Sequence, residues 1–127
     1  GKVYFGGGET PDGPTDRVDV YDLATGTWSV LTLTAPRSHL VAGVTGNTVF
    51  FYGGTGTDGK PSAVLDFYNP AFVNDFTAFP SGSLPRLTKG VAVSSPAYDA
   101  DNPSTLWLFG GENEAGFTDP YLTLFRD

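Results

Sequence analysis

The chain has 127 residues and a formal net charge of −7, from 14 acidic and 7 basic residues. Its lysines and arginines stand singly, whereas a nucleic-acid-binding surface needs them clustered, so we expect no nucleic-acid partner. The absence of cysteine excludes disulfides and thiolate metal sites. No apolar run approaches the roughly 18 residues of a membrane-spanning helix, so we expect no membrane span.

Glycine and aromatic residues are both frequent. The chain contains 17 glycines and 10 prolines, and aromatic residues make up 14% of it. Aromatic side chains supply the apolar surface that disordered chains lack, so this composition indicates a folded protein with many turns.

The predicted elements are short strands separated by turn residues, with no helical periodicity. The first strands are KVYFGGG (2–8), RVDVYD (17–22) and TGTWSVL (25–31), followed by Pro36-Arg37. The next are HLVAGVT (39–45), TVFFYGG (48–54), AVLDFYN (63–69) and VNDFTAF (73–79), followed by Pro85-Arg86. The last are GVAVSS (90–95), TLWLFGG (105–111) and YLTLFRD (121–127).

These strands form a repeat marked by paired glycines, at intervals of 46 and 57 residues. Four strands per unit and a period near 40–50 residues are typical of the blades of a β-propeller. With the strands of a blade labelled A to D, the chain begins at strand B and ends at strand C. We therefore predict an all-β fold with one complete blade (36–84) between two incomplete blades (1–35 and 85–127).

The paired glycines end an apolar strand in each unit. We expect them to adopt positive φ and to allow a close approach in which a Cβ would collide. A phosphate-binding loop is the alternative, but that motif requires a following helix, which the pattern does not predict.

The order of these motifs resembles the kelch repeat. The first unit carries Gly7-Gly8, Tyr21-Asp22, Trp28 and Pro36-Arg37. The second carries Gly53-Gly54, with Tyr68-Asn69 and Phe76 in place of Tyr-Asp and Trp, and the third carries Gly110-Gly111 with Phe125-Arg126. The resemblance implies a kelch-type propeller, in which Trp28 and Phe76 pack between blades.

The predicted strands are too few for a closed propeller, which needs about four to eight blades. Open blade faces and strand edges favour aggregation. We therefore expect either a part of a longer propeller or copies that complete one another, rather than a self-sufficient monomer.

Up-and-down strand order places the B–C loops and the D–A connections at one rim, where recognition usually resides. Kelch-like propellers commonly bind a protein partner there. The candidate binding residues are Glu9, Asp12, Asp16, Arg17, Arg37, Asp58, Lys60, Arg86, Glu112, Glu114, Phe117 and Asp119. For Arg37 and Arg86 the alternatives are hydrogen bonding between blades or a guanidinium facing a ligand.

No complete catalytic or metal-binding constellation is predicted. His39 is the only histidine, and Ser38 beside it should point to the opposite face of a strand. Kelch-like copper oxidases use two histidines and a cysteine, which this sequence does not supply. Asp99, Asp101 and Asn102 match the start of a calcium loop, but the required glycine and glutamate are missing.

The sequence is compatible with three functions. The first is a non-enzymatic propeller segment that binds protein through its rim, without a cofactor. The second is a structural protomer or repeat of an extracellular or surface assembly. The third is a fragment of a kelch-type sugar isomerase or oxidase whose catalytic residues lie elsewhere.

Overall fold

The structure is a computed structural model that describes residues 1–79, 88–95, 105–109, 111–115 and 122–126. Within this part the regular elements are β-strands, with antiparallel pairing in every sheet and no helix. This confirms the expected all-β fold class. No described segment is a helix long and apolar enough to cross a bilayer.

Sheet I and a small hairpin contain the first five strands. These are β1 (Lys2–Gly6), β2 (Glu9–Thr10), β3 (Gly13–Pro14), β4 (Arg17–Asp22) and β5 (Thr27–Thr32). Strands β1, β4 and β5 form sheet I in that order, while β2 and β3 pair in the segment expected to be a loop. Asp22 closes the turn after β4, because its Oδ1 accepts a hydrogen bond from the Ala24 amide at 2.9 Å.

Sheet II is a four-stranded antiparallel meander. Its strands, in spatial order, are β6 (Val41–Thr45), β7 (Thr48–Tyr52), β8 (Leu65–Tyr68) and β9 (Thr77–Ala78). Asn69 closes the turn after β8 as Asp22 does in sheet I, since its Oδ1 accepts from the Ala71 amide at 3.0 Å. The Asn in place of Asp therefore preserves the turn.

Sheet III repeats the first three strands of sheet II. Its strands are β10 (Val91–Ser95), β11 (Thr105–Phe109) and β12 (Leu122–Arg126), in that spatial order. The register between β11 and β12 shifts between Leu106 and Trp107.

One apolar core lies between sheets I and II. Val18 and Val20 are two positions apart in β4, so both valines lie on the same face of sheet I. They pack with Val49, Phe51 and Phe76 of sheet II and its flanking segment.

A second core lies between sheets II and III. Phe50 and Tyr52 of β7 and Leu65 of β8 pack with Leu106 of β11. Successive residues of β7 therefore serve different cores, and Val49 through Tyr52 are all buried. This is why the strand has an unbroken apolar run instead of alternating apolar and polar residues.

Two glycines outside the pairs allow neighbouring sheets to pack closely. A Cβ on Gly6 would lie 2.6 Å from the ring of Phe51, and a Cβ on Gly43 would overlap Leu106. Both glycines are inside strands, at points where a neighbouring sheet approaches closely.

Candidate functional site

The candidate site is the edge of the molecule where the loops after strands β1, β7 and β11 lie. We define the loop rim as residues 7–17, 33–40, 53–64, 88–90 and 111–115. Hydrogen bonds between backbone groups connect these five segments across all three sheets. The rim is therefore one continuous surface.

Backbone hydrogen bonds join the sheet I loop to the segment that leads into sheet II. The Gly8 amide donates to the Arg37 carbonyl at 2.9 Å, and the Arg37 amide donates to the Thr15 carbonyl at 3.2 Å. This segment is thus fixed on the side that faces sheet I.

Sheets II and III each have a reciprocal pair of backbone hydrogen bonds in the rim. Ser38 and Thr55 exchange amide-to-carbonyl bonds of 2.9 and 2.7 Å, and so do Thr88 and Glu112. The two pairs are linked because the Thr55 and Thr88 hydroxyl oxygens lie 2.9 Å apart. The repeat thus specifies the contacts of the rim as well as its strands.

Two of the paired glycines allow the rim segments to approach each other closely. They are Gly7, the first of its pair, and Gly54, the second of its pair. Gly7 has a φ of 68° and Gly54 a φ of 92°. A Cβ on Gly7 would lie 2.6 Å from the Arg37 carbonyl oxygen, and one on Gly54 would lie 2.5 Å from the Ser38 carbonyl oxygen. The expected collision is absent at Gly8, where a Cβ would meet open space.

Arg37 is an interior residue of the rim, with 1% of its surface exposed. Its Nη1 donates to the carbonyls of Gly53 and Val64 at 2.9 and 2.8 Å, and its Nη2 donates to the carboxylate of Asp66. Burial lowers the pKa of the guanidinium, and the attraction of Asp66 opposes this shift. The Arg37 guanidinium therefore has a structural role. It donates to internal acceptors and is not directed at a ligand.

Asp66 is a key residue that was not predicted from the sequence. Besides Arg37, it accepts hydrogen bonds from the Thr34 amide at 3.1 Å and the Thr34 hydroxyl at 2.5 Å. A carboxylate in the middle of the apolar run AVLDFYN was the available signal, because a buried carboxylate requires a partner.

Ser38 and His39 do not point apart, contrary to the expectation. His39 has a φ of 53°, so the strand alternation does not apply, and its Nδ1 lies 3.1 Å from the Ser38 hydroxyl oxygen. Ser38 is buried, which keeps its hydroxyl from a substrate. Lys89, the equivalent residue before β10, has a φ of 60°, so this backbone conformation belongs to the repeat.

Most of the predicted rim residues that the structure describes are solvent-exposed. Those with exposed side chains are Glu9, Asp12, Arg17, Asp58, Lys60, Glu112 and Glu114, while Asp16 is half-buried. A cleft of about 220 Å³ opens between residues 35–37 and 56–62. Asp58 and Lys60 lie at this cleft.

Other predicted residues lie outside the described part of the chain. These are Arg86, Gly110, Phe117 and Asp119 among the site and motif residues, and Asp99, Asp101 and Asn102 of the possible calcium loop. Within the described part, no three His, Asp or Glu residues are grouped so that they could hold a metal ion.

The two residues expected to pack between blades have different environments. Phe76 is 7% exposed and lies against Phe51 and Tyr68. Trp28 is 63% exposed, with its ring 4.9 Å from that of Tyr21. No described sheet covers the face on which Trp28 lies, so its packing between blades stays a prediction.

Comparison with known proteins finds no family model that matches this chain and no curated protein that matches it. The sheets, the rim and the repeated contacts are therefore the basis for a functional proposal.

Proposed function

We propose that this chain is a non-enzymatic segment of a kelch-type β-propeller that binds a protein partner through its loop rim. The observation that supports this is the continuity of the rim, in which hydrogen bonds join loops of all three sheets. Recognition usually resides on loops that a rigid scaffold positions. The resemblance of the glycine and Tyr-Asp motifs to kelch repeats favours the same function.

The charge of the rim favours a basic partner. In its described part the exposed carboxylates are those of Glu9, Asp12, Asp58, Glu112 and Glu114, against the cations Arg17, Lys60 and Lys89. Lys89 is already paired with Glu112 at 3.5 Å. Complementary charge on the partner speeds association and excludes acidic competitors.

The rim cleft favours a peptide over a small-molecule substrate. Its volume of about 220 Å³ is below the roughly 300–1,000 Å³ of typical ligand pockets. Asp58 and Lys60 both line it, so the cleft presents charges of both signs, and the preference for a basic partner comes from the other rim carboxylates. The Arg37 guanidinium is held by internal acceptors, so it contributes to the shape of the cleft.

Selection of peptides from a random displayed library against the purified chain tests this function. We expect the selected peptides to be enriched in Lys and Arg. The double change Glu9→Gln and Glu114→Gln should weaken their binding about five- to thirtyfold, if each rim charge contributes about 0.5–1 kcal/mol. Added salt should weaken it further, because the charges are exposed. Titration calorimetry measures both effects.

The matched control changes net charge equally at the opposite edge of the sheets. Asn47→Lys with Asn74→Lys alters the charge by the same amount in the turns after β6 and β8, where both side chains are exposed. It should leave peptide affinity nearly unchanged. Equal weakening by both double variants, or no selected peptide, would rule out the rim as a binding surface.

The exposed aromatic residues of sheet I favour a second function. A protomer of an assembly needs an apolar surface that its copies can cover, and Phe5, Trp28 and Val30 are exposed on one sheet face. This second function does not depend on the rim. No observation in the described part of the chain favours an enzyme fragment.

A further inference from the structure

Three aromatic residues of sheet II and the segment that flanks it form a group at the core between sheets I and II. Phe51 lies 5.4 Å from Phe76, and Phe76 lies 5.4 Å from Tyr68, measured between ring centroids. Phe51 is 2% exposed, because Val18 and Val20 of sheet I pack in the same core. In this interface, valine side chains of one sheet cover aromatic rings of the next.

Sheet I carries the same group of three at equivalent positions. Trp28 lies 6.1 Å from Phe5 and 4.9 Å from Tyr21. Phe5 is two residues before the paired glycines, as Phe51 is, and Tyr21 precedes the turn-closing Asp22 as Tyr68 precedes Asn69. Phe5 is nevertheless 56% exposed, since no described sheet covers it.

The open face of sheet I, formed by Val3, Phe5, Asp19, Tyr21, Trp28 and Val30, also contains a cleft. The cleft has a volume of about 350 Å³ and is lined in part by Trp28 and Val30. Asp19 is the one acidic residue among the six, and Arg17 pairs with it at 2.7 Å. Covering this face therefore does not bury an unpaired carboxylate, which would oppose association.

Sheet III has the complementary open face. Val91 occupies the position of Val41, which packs against Leu106 in the core between sheets II and III and is 8% exposed. Val91 itself is 59% exposed, and Val93 on the same face is also exposed. One end of the molecule thus presents uncovered aromatic rings, and the other end presents exposed valines beside the half-buried Trp107, the cross-strand partner of Val93.

We propose that the open face of sheet I binds the Val91/Val93 face of sheet III from a second copy of the chain. Such a contact continues the packing already present between sheets I and II and between sheets II and III. It joins two different surfaces, so association is head-to-tail and can extend beyond a dimer. This inference rests on the second proposed function and names its surface.

Sedimentation velocity of the whole chain at rising concentration tests the proposal. The weight-average mass of the wild type should rise above the 13.4 kDa of one chain. Trp28→Asp and Val93→Asp should each lower the association constant at least about tenfold, as expected for an interface anchor. Val30→Lys on the same face as Trp28 replaces the first variant if that one fails to fold, as judged by circular dichroism.

A mixture of the two variants separates a head-to-tail contact from a symmetric one. Trp28→Asp leaves the sheet III face intact and Val93→Asp leaves the sheet I face intact, so the mixture should form a one-to-one dimer and nothing larger. The control Phe72→Asp removes an aromatic residue that is 84% exposed in the turn after β8, outside both faces, and should leave association unchanged.

Two results would overturn this inference. One is a wild type that remains at 13.4 kDa at every concentration. The other is a Val93→Asp variant that associates as strongly as the wild type while Trp28→Asp does not, since sheet I faces would then pair with each other. The Glu9→Gln and Glu114→Gln changes touch neither face, so they should leave association intact and keep the rim proposal separately testable.

Discussion

At the scale of single residues, the buried ion pair of Arg37 and Asp66 fixes one segment of the rim. Its two side chains are almost fully buried, and the guanidinium also satisfies the carbonyls of Gly53 and Val64. A buried pair contributes little net stability, because desolvation offsets the attraction, but the loss of one partner leaves a charge uncompensated. The pair therefore constrains how the segment before β6 meets sheet II.

Arg37→Ala should lower the free energy of unfolding by about 3–5 kcal/mol, because Asp66 is left buried without its counter-ion. Urea unfolding monitored by tryptophan fluorescence measures the change. Arg17→Ala is the control, since the Arg17–Asp19 pair is exposed and should contribute at most about 1 kcal/mol. A similar small loss in both variants would contradict the importance assigned to the buried pair.

Tyr4 makes stability depend on alkaline pH. Burial raises the pKa of its phenol above the ordinary value of about 10, and the nearby Tyr68 adds to the shift. The folded state thus holds this proton more tightly than the unfolded state does. The corresponding stability is fully present below pH 10 and is lost as the pH rises through the raised pKa.

Tyr4→Phe should remove this dependence. Above pH 10 the wild type should lose stability faster than the variant, whereas below pH 9 the difference between them should be constant. Urea titrations at a series of pH values measure the two curves. Parallel curves across the alkaline range would show that Tyr4 does not titrate differently in the folded and unfolded states.

At the scale of the elements, residues at the same strand position contribute differently to the free energy of unfolding in different sheets. Phe51 in β7 and Phe5 in β1 both precede paired glycines by the same spacing. Phe51 is buried against sheet I, and its ring lies where a side chain on Gly6 would be. Phe5 faces outward. Their contribution to stability depends on the neighbouring sheet, since the strands themselves are alike.

Phe51→Ala should cost about 3–5 kcal/mol of unfolding free energy, as usual for a buried phenylalanine. Phe5→Ala should change it by about 0.5 kcal/mol or less in dilute protein, because its ring is largely exposed. Differential scanning calorimetry at low concentration measures both. Equal costs would mean that the Phe5 face is covered even in the single chain.

At the scale of the whole molecule, three sheets enclose two cores and leave two apolar faces open. Sheet II is covered on both sides, so its strands carry most of the buried apolar residues. The loop rim lies at the ends of the strands. The proposed binding at the rim and the proposed association through the sheet faces therefore use two surfaces that adjoin at Arg17.

The amino-acid sequence by itself determined the strands, their antiparallel order and the repeated turns. These features depend on short-range rules: side-chain alternation, residues such as Asp22 and Asn69 that close turns, and glycines where φ is positive. The exposed carboxylates of the rim were also predictable, because charged loop residues remain in solvent. The β2–β3 hairpin was missed, since two-residue strands have no periodicity to detect.

Only the tertiary structure decided which of the equivalent residues are buried. Arg37 finds its acceptor Asp66 29 residues along the chain, and Ser38 meets His39 because the local backbone departs from a strand. Trp28 is exposed and Phe76 is buried at matching positions. The physical reason is that burial requires a second sheet against the face, and no local pattern within one strand records whether that sheet is there.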